Sequence, residues 1–425
     1  MLSEDITSAY LSILKDELIP ATGCTEPIAV AYCAAKLREV LGARPETITA
    51  EVSGNILKNV KSVVVPNTGG LKGLKAAIAI GVVAGDPAKE LLVISDVRQE
   101  QHAETAAYSE AVPIRIECME TPHLLDICLT GTVGTDSAIV RIVNKHTNIV
   151  LIRKNGETLF SKPEDNAPVD QEQTKSIMNV RDIVTFADTV KIEKLSPILD
   201  RQIEYNSAIA EEGLRGNWGA NIGSVLQSDF GEDIKVEAMA YAAAGSDARM
   251  SGCELPVVIL SGSGNQGITA ALPVIRYAKH MGADQERLYR ALVVSDLVTV
   301  HQKTGIGRLS AYCGAVSAGV GAGAGIAYLL GGDYDVIAHT IVNAVAILSG
   351  TICDGAKPSC AAKIASAVEA GFLGYRMYLH NQQFYGGDGI VTRGVDKTIV
   401  NVGVLARKGM RETDRTILDI MTGNC

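Results

Sequence analysis

Apolar residues recur with a helical period at the start of the chain. Ile6, Tyr10, Ile13 and Leu14 fall on one face behind Ser3, a good N-cap residue, and the run ends before Pro20. A loop over 21–26 follows, and Pro27 suits the first turn of a second helix that continues through Leu37 and Val40. From Thr47 to about Thr158 the period shortens. Runs rich in β-formers at 47–52, 91–94, 113–118, 138–143 and 148–153 interleave with helical stretches near 71–83 and 100–108, and Asn155-Gly156 reads as a tight turn. The stretch 161–174, with Pro163, Pro168, two Asp and two Glu, reads as a solvated linker. Beyond Ile177 strand signals fade into successive helices broken by glycine-rich turns at 245–252, 261–267, 304–307, 331–332 and 386–389; a last strand is expected over 395–405. The pattern predicts an α+β fold. An α/β domain over 1–165 carries the amino-terminal helices and Cys24, and a mostly α-helical domain over 175–425, rich in Gly/Ala helices, follows.

Composition narrows the class. With 47% hydrophobic and 20% charged residues, the 425-residue chain can bury a sizeable core and is not disordered. Its 42 glycines and 4% aromatics point to helices whose backbones approach closely. A net charge of −9 argues against nucleic acid as a partner. Residues 314–332 carry no charge, but seven are glycine and large aliphatics are few, so a buried central helix is expected there rather than a membrane span. The acidic start, Ser3-Glu4-Asp5, lacks the basic-then-apolar order of a secretory signal, which places the chain in the cytoplasm; its nine cysteines then read as thiols or metal ligands rather than disulfides. The expected partner is a small molecule, and glycine-lined helices are compatible with a homodimer.

Three segments carry candidate chemistry. Cys313 follows a helix-breaking region, and the loop Cys353-Asp-Gly-Ala-Lys-Pro-Ser-Cys360 is of a length to turn two thiolates toward one centre. Three such ligands leave one metal position open, although neither zinc-type C-x2-C spacing nor a ferredoxin run is present and buried cysteine also serves as a small apolar residue. In Thr22-Gly-Cys-Thr-Glu-Pro27, Cys24 stands at a helix start, where the dipole and unpaired amides favour a thiolate; alternatively Thr22 or Thr25 caps the helix and Cys24 fills space. Ser261-Gly-Ser-Gly-Asn-Gln-Gly267 lies between an apolar run and a helix, so its amides suit a carboxylate or phosphate, the alternative being a packing turn. Asn67-Thr68-Gly69 and Lys303-Thr304-Gly305 are turns of the same sort, and His301 is a lone histidine of structural or acid–base use.

Together these segments resemble the oxygen-sensitive L-cysteine desulfidases, relatives of the iron–sulfur L-serine dehydratases. The resemblance covers nearly the whole chain and rests on the 22–27 motif, on 261–267, and on Cys313 with Cys353-x6-Cys360. It implies a β-eliminating lyase with a [4Fe–4S] cluster on Cys313, Cys353 and Cys360, its fourth iron left for substrate. It also implies that Cys24 is the base that takes the α-proton; the dehydratases carry histidine at that place. Ser261, Ser263, Gly264, Asn265, Gln266 and Gly267 would hold the substrate carboxylate, with Thr22 and Asn67 beside them. Cys425, at the chain end, would fold back as a resting fourth ligand, as in some of the dehydratases. L-Cysteine plus water giving sulfide, ammonia and pyruvate is the activity so implied. The rival readings are dehydration of L-serine, a pyridoxal-phosphate lyase, and a non-catalytic amino-acid or metal binder.

Overall fold

The structure, a computed structural model, describes residues 2–164, 175–231 and 233–423. Most of the segment expected as a linker, 165–174, and the terminal Cys425 lie outside the described residues. The fold is α+β. A six-stranded sheet contains Thr47–Val52 (β2), Ile114–Cys118 (β3), Asp126–Val133 (β4), Asp136–Val143 (β5), Ile149–Lys154 (β6) and Glu157–Ser161 (β7), in the order β3-β2-β4-β5-β6-β7. Only β2 and β3 run parallel; the remaining pairs are antiparallel. The hairpin between β6 and β7 turns at Asn155 and Gly156, both with positive φ, as the Asn-Gly pair demands.

The helix Thr25–Leu41 is almost wholly buried between this sheet and the helix Gly73–Ala84. Close approach is possible because Gly81 faces the Ala31 backbone, where a Cβ would stand 2.2 Å from the carbonyl oxygen. Two short strands, Ile19–Thr22 (β1) and Pro256–Ile259 (β8), pair antiparallel and tie the amino-terminal segment to the helical half. One continuous cluster of buried apolar side chains runs through both halves.

In the helical half, Gly314–Leu329 is the central helix and touches 264–281, 285–306, 334–348 and 360–379. Its glycines serve two faces. Gly319 and Gly323 meet the backbone of 360–379 at Ala367 and Gly371, while Gly321 and Gly325 meet 285–306 at Ser295, Thr299 and Ala291. Among the described residues no helix is long and apolar enough to cross a membrane.

Several elements differ from the sequence pattern. Residues 395–405 are not a strand: Val395–Val404 is a helix whose buried Val395, Ile399 and Val402 repeat at helical spacing. Residues 91–94 finish a 3₁₀ segment and a turn instead of pairing in the sheet. Gly245 lies inside the helix Ile234–Met250, packed by Ile268, and 304–306 complete the helix Gln285–Ile306. Strand β1 occupies what reads as loop, and β4 lies in the middle of the sheet where no strand is expected.

Candidate functional site

The amino-terminal motif is built first by local chemistry. Cys24 is the extended N-cap of Thr25–Leu41, with Glu26 and Pro27 in the first turn. Thr25 Oγ1 donates to the Gly262 carbonyl at 2.9 Å, tying this helix start to the serine–glycine loop. That loop turns at Ser261 and Gly262, both with positive φ, and enters the helix Gly264–Met281 behind Ser263.

The cysteine loop is fixed by backbone bonds. Cys353 N–H donates to the Ala311 carbonyl and Cys313 N–H to the Thr351 carbonyl, at 2.6 and 3.0 Å, which clamps the two segments side by side. Gly355, with φ +91°, lies against the Lys58 carbonyl, and Asp354 is bound by Lys357 and Lys363. The chain then enters the helix Cys360–Leu379 at Cys360 itself.

These segments meet around one cavity. Cys24, Cys313, Cys353 and Cys360 all line it, with Glu26, Asn59, Arg249, Ser263, Asn265, Gln266, Lys303 and Arg308. About 100 Å³ is available to the centre of a water molecule, room for several waters or the polar atoms of a small ligand. Four helices begin here: at Cys24, at Ser263, at Cys313 and at Cys360. None of the four has a side-chain cap bond, so their amides and dipoles leave a positive field that suits anions.

The titratable groups follow from burial. Burial pushes Cys313 up to about 12, and the charge of Cys353 adds to it; burial also raises Cys360. Lys303 is lowered to about 8 by burial, against the pull of Cys353 and Cys313. Cys24 stands well above the ordinary thiol range because it is buried and faces Glu26, to whose Oε2 its Sγ donates at 3.2 Å. The expectation of a thiolate from the helix dipole alone is therefore corrected: desolvation and Glu26 outweigh the dipole in the chain without ligand.

Not every expected residue reaches the cavity. Ser263, Asn265 and Gln266 do. Thr22 is held in β1 opposite Pro256, and Asn67 commits its amide to the Ile94 carbonyl at 2.7 Å. Ser261 serves the turn before the helix, and Gly267 is pressed on β8, where a Cβ would stand 2.0 Å from the Val258 carbonyl oxygen. His301 pairs with Asp396 at 2.8 Å, outside the lining. The sequence reading missed Arg249, Asn59 and Arg308. For Arg249 a signal existed: in the run of small residues Ala242-Ala-Ala-Gly-Ser-Asp-Ala-Arg249, Asp247 and Arg249 are charges on a helix otherwise suited to burial.

The family that this chain matches is of a lyase-type class of enzyme. The chain belongs to the serine dehydratase alpha chain family, whose description its residues 88–419 match. It is similar along almost its whole length to UPF0597 proteins: 57% identical to that of Desulfitobacterium hafniense, over 98% of this chain and 97% of the relative. It is 49% identical to that of Lachnoclostridium phytofermentans over 97% and 98%, and 46% identical to that of Treponema denticola over 97% of each.

Proposed function

We propose that the chain is an iron–sulfur lyase that eliminates sulfide from L-cysteine. The observation that carries this reading is the meeting of Cys24 with Cys313, Cys353 and Cys360 around one cavity at four helix N-termini. Among the described residues no three His, Cys, Asp or Glu side chains converge as they would on a single ion. A multinuclear cluster instead takes its thiolates at separate corners. Three sulfur donors lining one cavity, with Lys303 and Lys363 close enough to feel the charge of Cys313, fit such a group. Held by Cys313, Cys353 and Cys360, a [4Fe–4S] cluster would supply a soft Lewis acid for the departing sulfur.

The chain's own residues supply the proton chemistry. Glu26 Oε2 accepts a hydrogen bond from the Cys24 thiol at 3.2 Å, while Asn59 donates to Oε1 at 3.2 Å. With its proton passed to Glu26, Cys24 is the base for the Cα proton of a bound amino acid. The Cα–H electron pair becomes the Cα–Cβ double bond as the Cβ–S bond breaks. Aminoacrylate then tautomerises and hydrolyses to pyruvate and ammonia in water. Ser263, Gln266 and the first amides of 264–281 orient the substrate.

The family description favours one second reading, loss of water from L-serine. The two are separated by assaying the anaerobic enzyme with each amino acid in parallel. The proposal expects sulfide and pyruvate in equal amounts from L-cysteine and a much lower rate with L-serine; the reverse preference overturns it.

A further inference from the structure

Arg249 is nearly sealed from solvent, with 1% of its surface exposed, at the end of Ile234–Met250. A buried guanidinium normally has a carboxylate partner, because an unpaired charge out of water is costly. Among the described residues none lies within ion-pair distance. Glu26 lines the same cavity, but its oxygens receive Cys24 and Asn59.

The guanidinium makes one bond. Nη1 donates to Asn265 Oδ1 at 3.0 Å, while Nε and Nη2 are buried without a partner. Those two atoms form the side-on edge of the fork, the edge that grips a carboxylate with two parallel bonds. Gly264 lets the guanidinium lie close against the backbone: a Cβ there would stand 2.2 Å from Nε and 2.6 Å from Cζ. Asn265 and Gln266, in the first turn of the helix 264–281, line the same cavity, and that helix start has no side-chain cap bond.

We infer that Arg249, which lines the cavity, is the anchor for the substrate's α-carboxylate, gripping it with the unpartnered Nε and Nη2, while Asn265 orients the guanidinium. Asn265 is then a positioning residue. The carboxylate becomes the missing partner of a charge the fold has already desolvated, so binding the anion removes a penalty as well as adding two bonds.

The inference rests on the reading that this cavity takes a small amino acid, and the test separates the two. The full chain, purified anaerobically with its cluster, is titrated calorimetrically with L-alanine, which has no leaving group, and with L-alaninamide, whose carboxylate is replaced by a neutral amide. The wild-type chain is expected to bind L-alanine and to disfavour L-alaninamide. Arg249→Met weakens L-alanine by about 100-fold or more, leaves L-alaninamide little changed, and Arg249→Lys falls between. Gly264→Ala, which keeps the arginine but pushes its guanidinium out of position, lowers L-alanine affinity in the same selective way and carries the test should Arg249→Met not fold. Undiminished L-alanine binding in either variant, or equal losses for both ligands, overturns the assignment. A wild-type chain that binds neither ligand overturns both the assignment and the amino-acid reading. If L-alanine binding depends on Arg249 but L-serine is the substrate consumed, the cysteine reading alone fails.

Discussion

Asp296 offers a measurement of burial electrostatics away from the site. It lies wholly inside the helical half, on 285–306, where Oδ1 accepts from Gln202 Nε2 at 3.0 Å and Oδ2 has no partner. Burial raises its carboxyl from 3.8 to about 7, against the smaller effect of the Gln202 bond. The folded chain therefore holds the proton over a range in which the unfolded chain has released it. Stability from this group is complete below about pH 4, falls as the pH rises toward 7, and is constant above. The interval from 3.8 to about 7 corresponds to about 4 kcal/mol. Asp296→Asn keeps an acceptor for Gln202 and removes the titration. Urea unfolding followed by far-ultraviolet circular dichroism, in matched buffers from pH 4 to 8, should show the variant gaining about 4 kcal/mol on the wild type between pH 4 and 7. The difference between the two proteins cancels the other carboxylates, such as Glu17, whose response has the opposite sign because Arg308 and Lys175 outweigh its burial. Parallel stability curves across that window would refute the reasoning.

Further outcomes follow from the site and from the glycine contacts. Cys313→Ser, Cys353→Ser and Cys360→Ser should each abolish retained iron and acid-labile sulfide while circular dichroism stays native; full iron retention in any one would remove that residue from the ligand set. Cys24→Ala should keep the iron and lose at least about 100-fold in turnover, and a variant as active as the wild type would take the base role from this residue. Gly323→Ala places a Cβ 2.6 Å from the Gly371 carbonyl oxygen, a backbone atom that cannot rotate away. It should destabilise by about 1–3 kcal/mol, seen as a lower Tm, and an unchanged Tm would mean that the two helices separate freely.

Local features of the fold are legible because their physics is local. Ser3 caps the first helix by accepting from Ile6 N–H, and Asn155-Gly156 turns a hairpin because both residues tolerate positive φ. The uncharged run 314–332 is a buried helix for the reason its composition suggests, since glycines on two faces admit two neighbouring backbones. What is not legible depends on distant partners. β1 and β8 are four-residue strands that exist only by pairing with each other. β4 contains Gly131, which weakens any strand signal, yet in the sheet that glycine makes room for Leu37 and Pro45. The valines and isoleucine of 395–404 suggest a strand by type while their spacing is helical, and packing on 285–306 through Gly305 and Gly403 follows the spacing.

The site divides in the same way. Residue types that carry chemistry in recognisable motifs, the four cysteines and the serine–glycine loop, can be picked out in sequence. Arg249 cannot be picked out by motif, because its meaning comes from the carboxylate it lacks. Thr22 and Asn67 look like binding residues by type, but backbone pairing and a carbonyl acceptor claim them.

The central claim is a metal cluster held by three cysteines opposite Cys24 in a cysteine-splitting lyase. Iron and acid-labile sulfide analysis of the anaerobically purified chain, followed at once by L-cysteine, tests it most directly. The account predicts about four of each per chain and prompt release of sulfide with pyruvate, both lost on exposure to air. A chain that contains no iron and still splits L-cysteine, or one that holds the cluster and leaves L-cysteine intact, would contradict it.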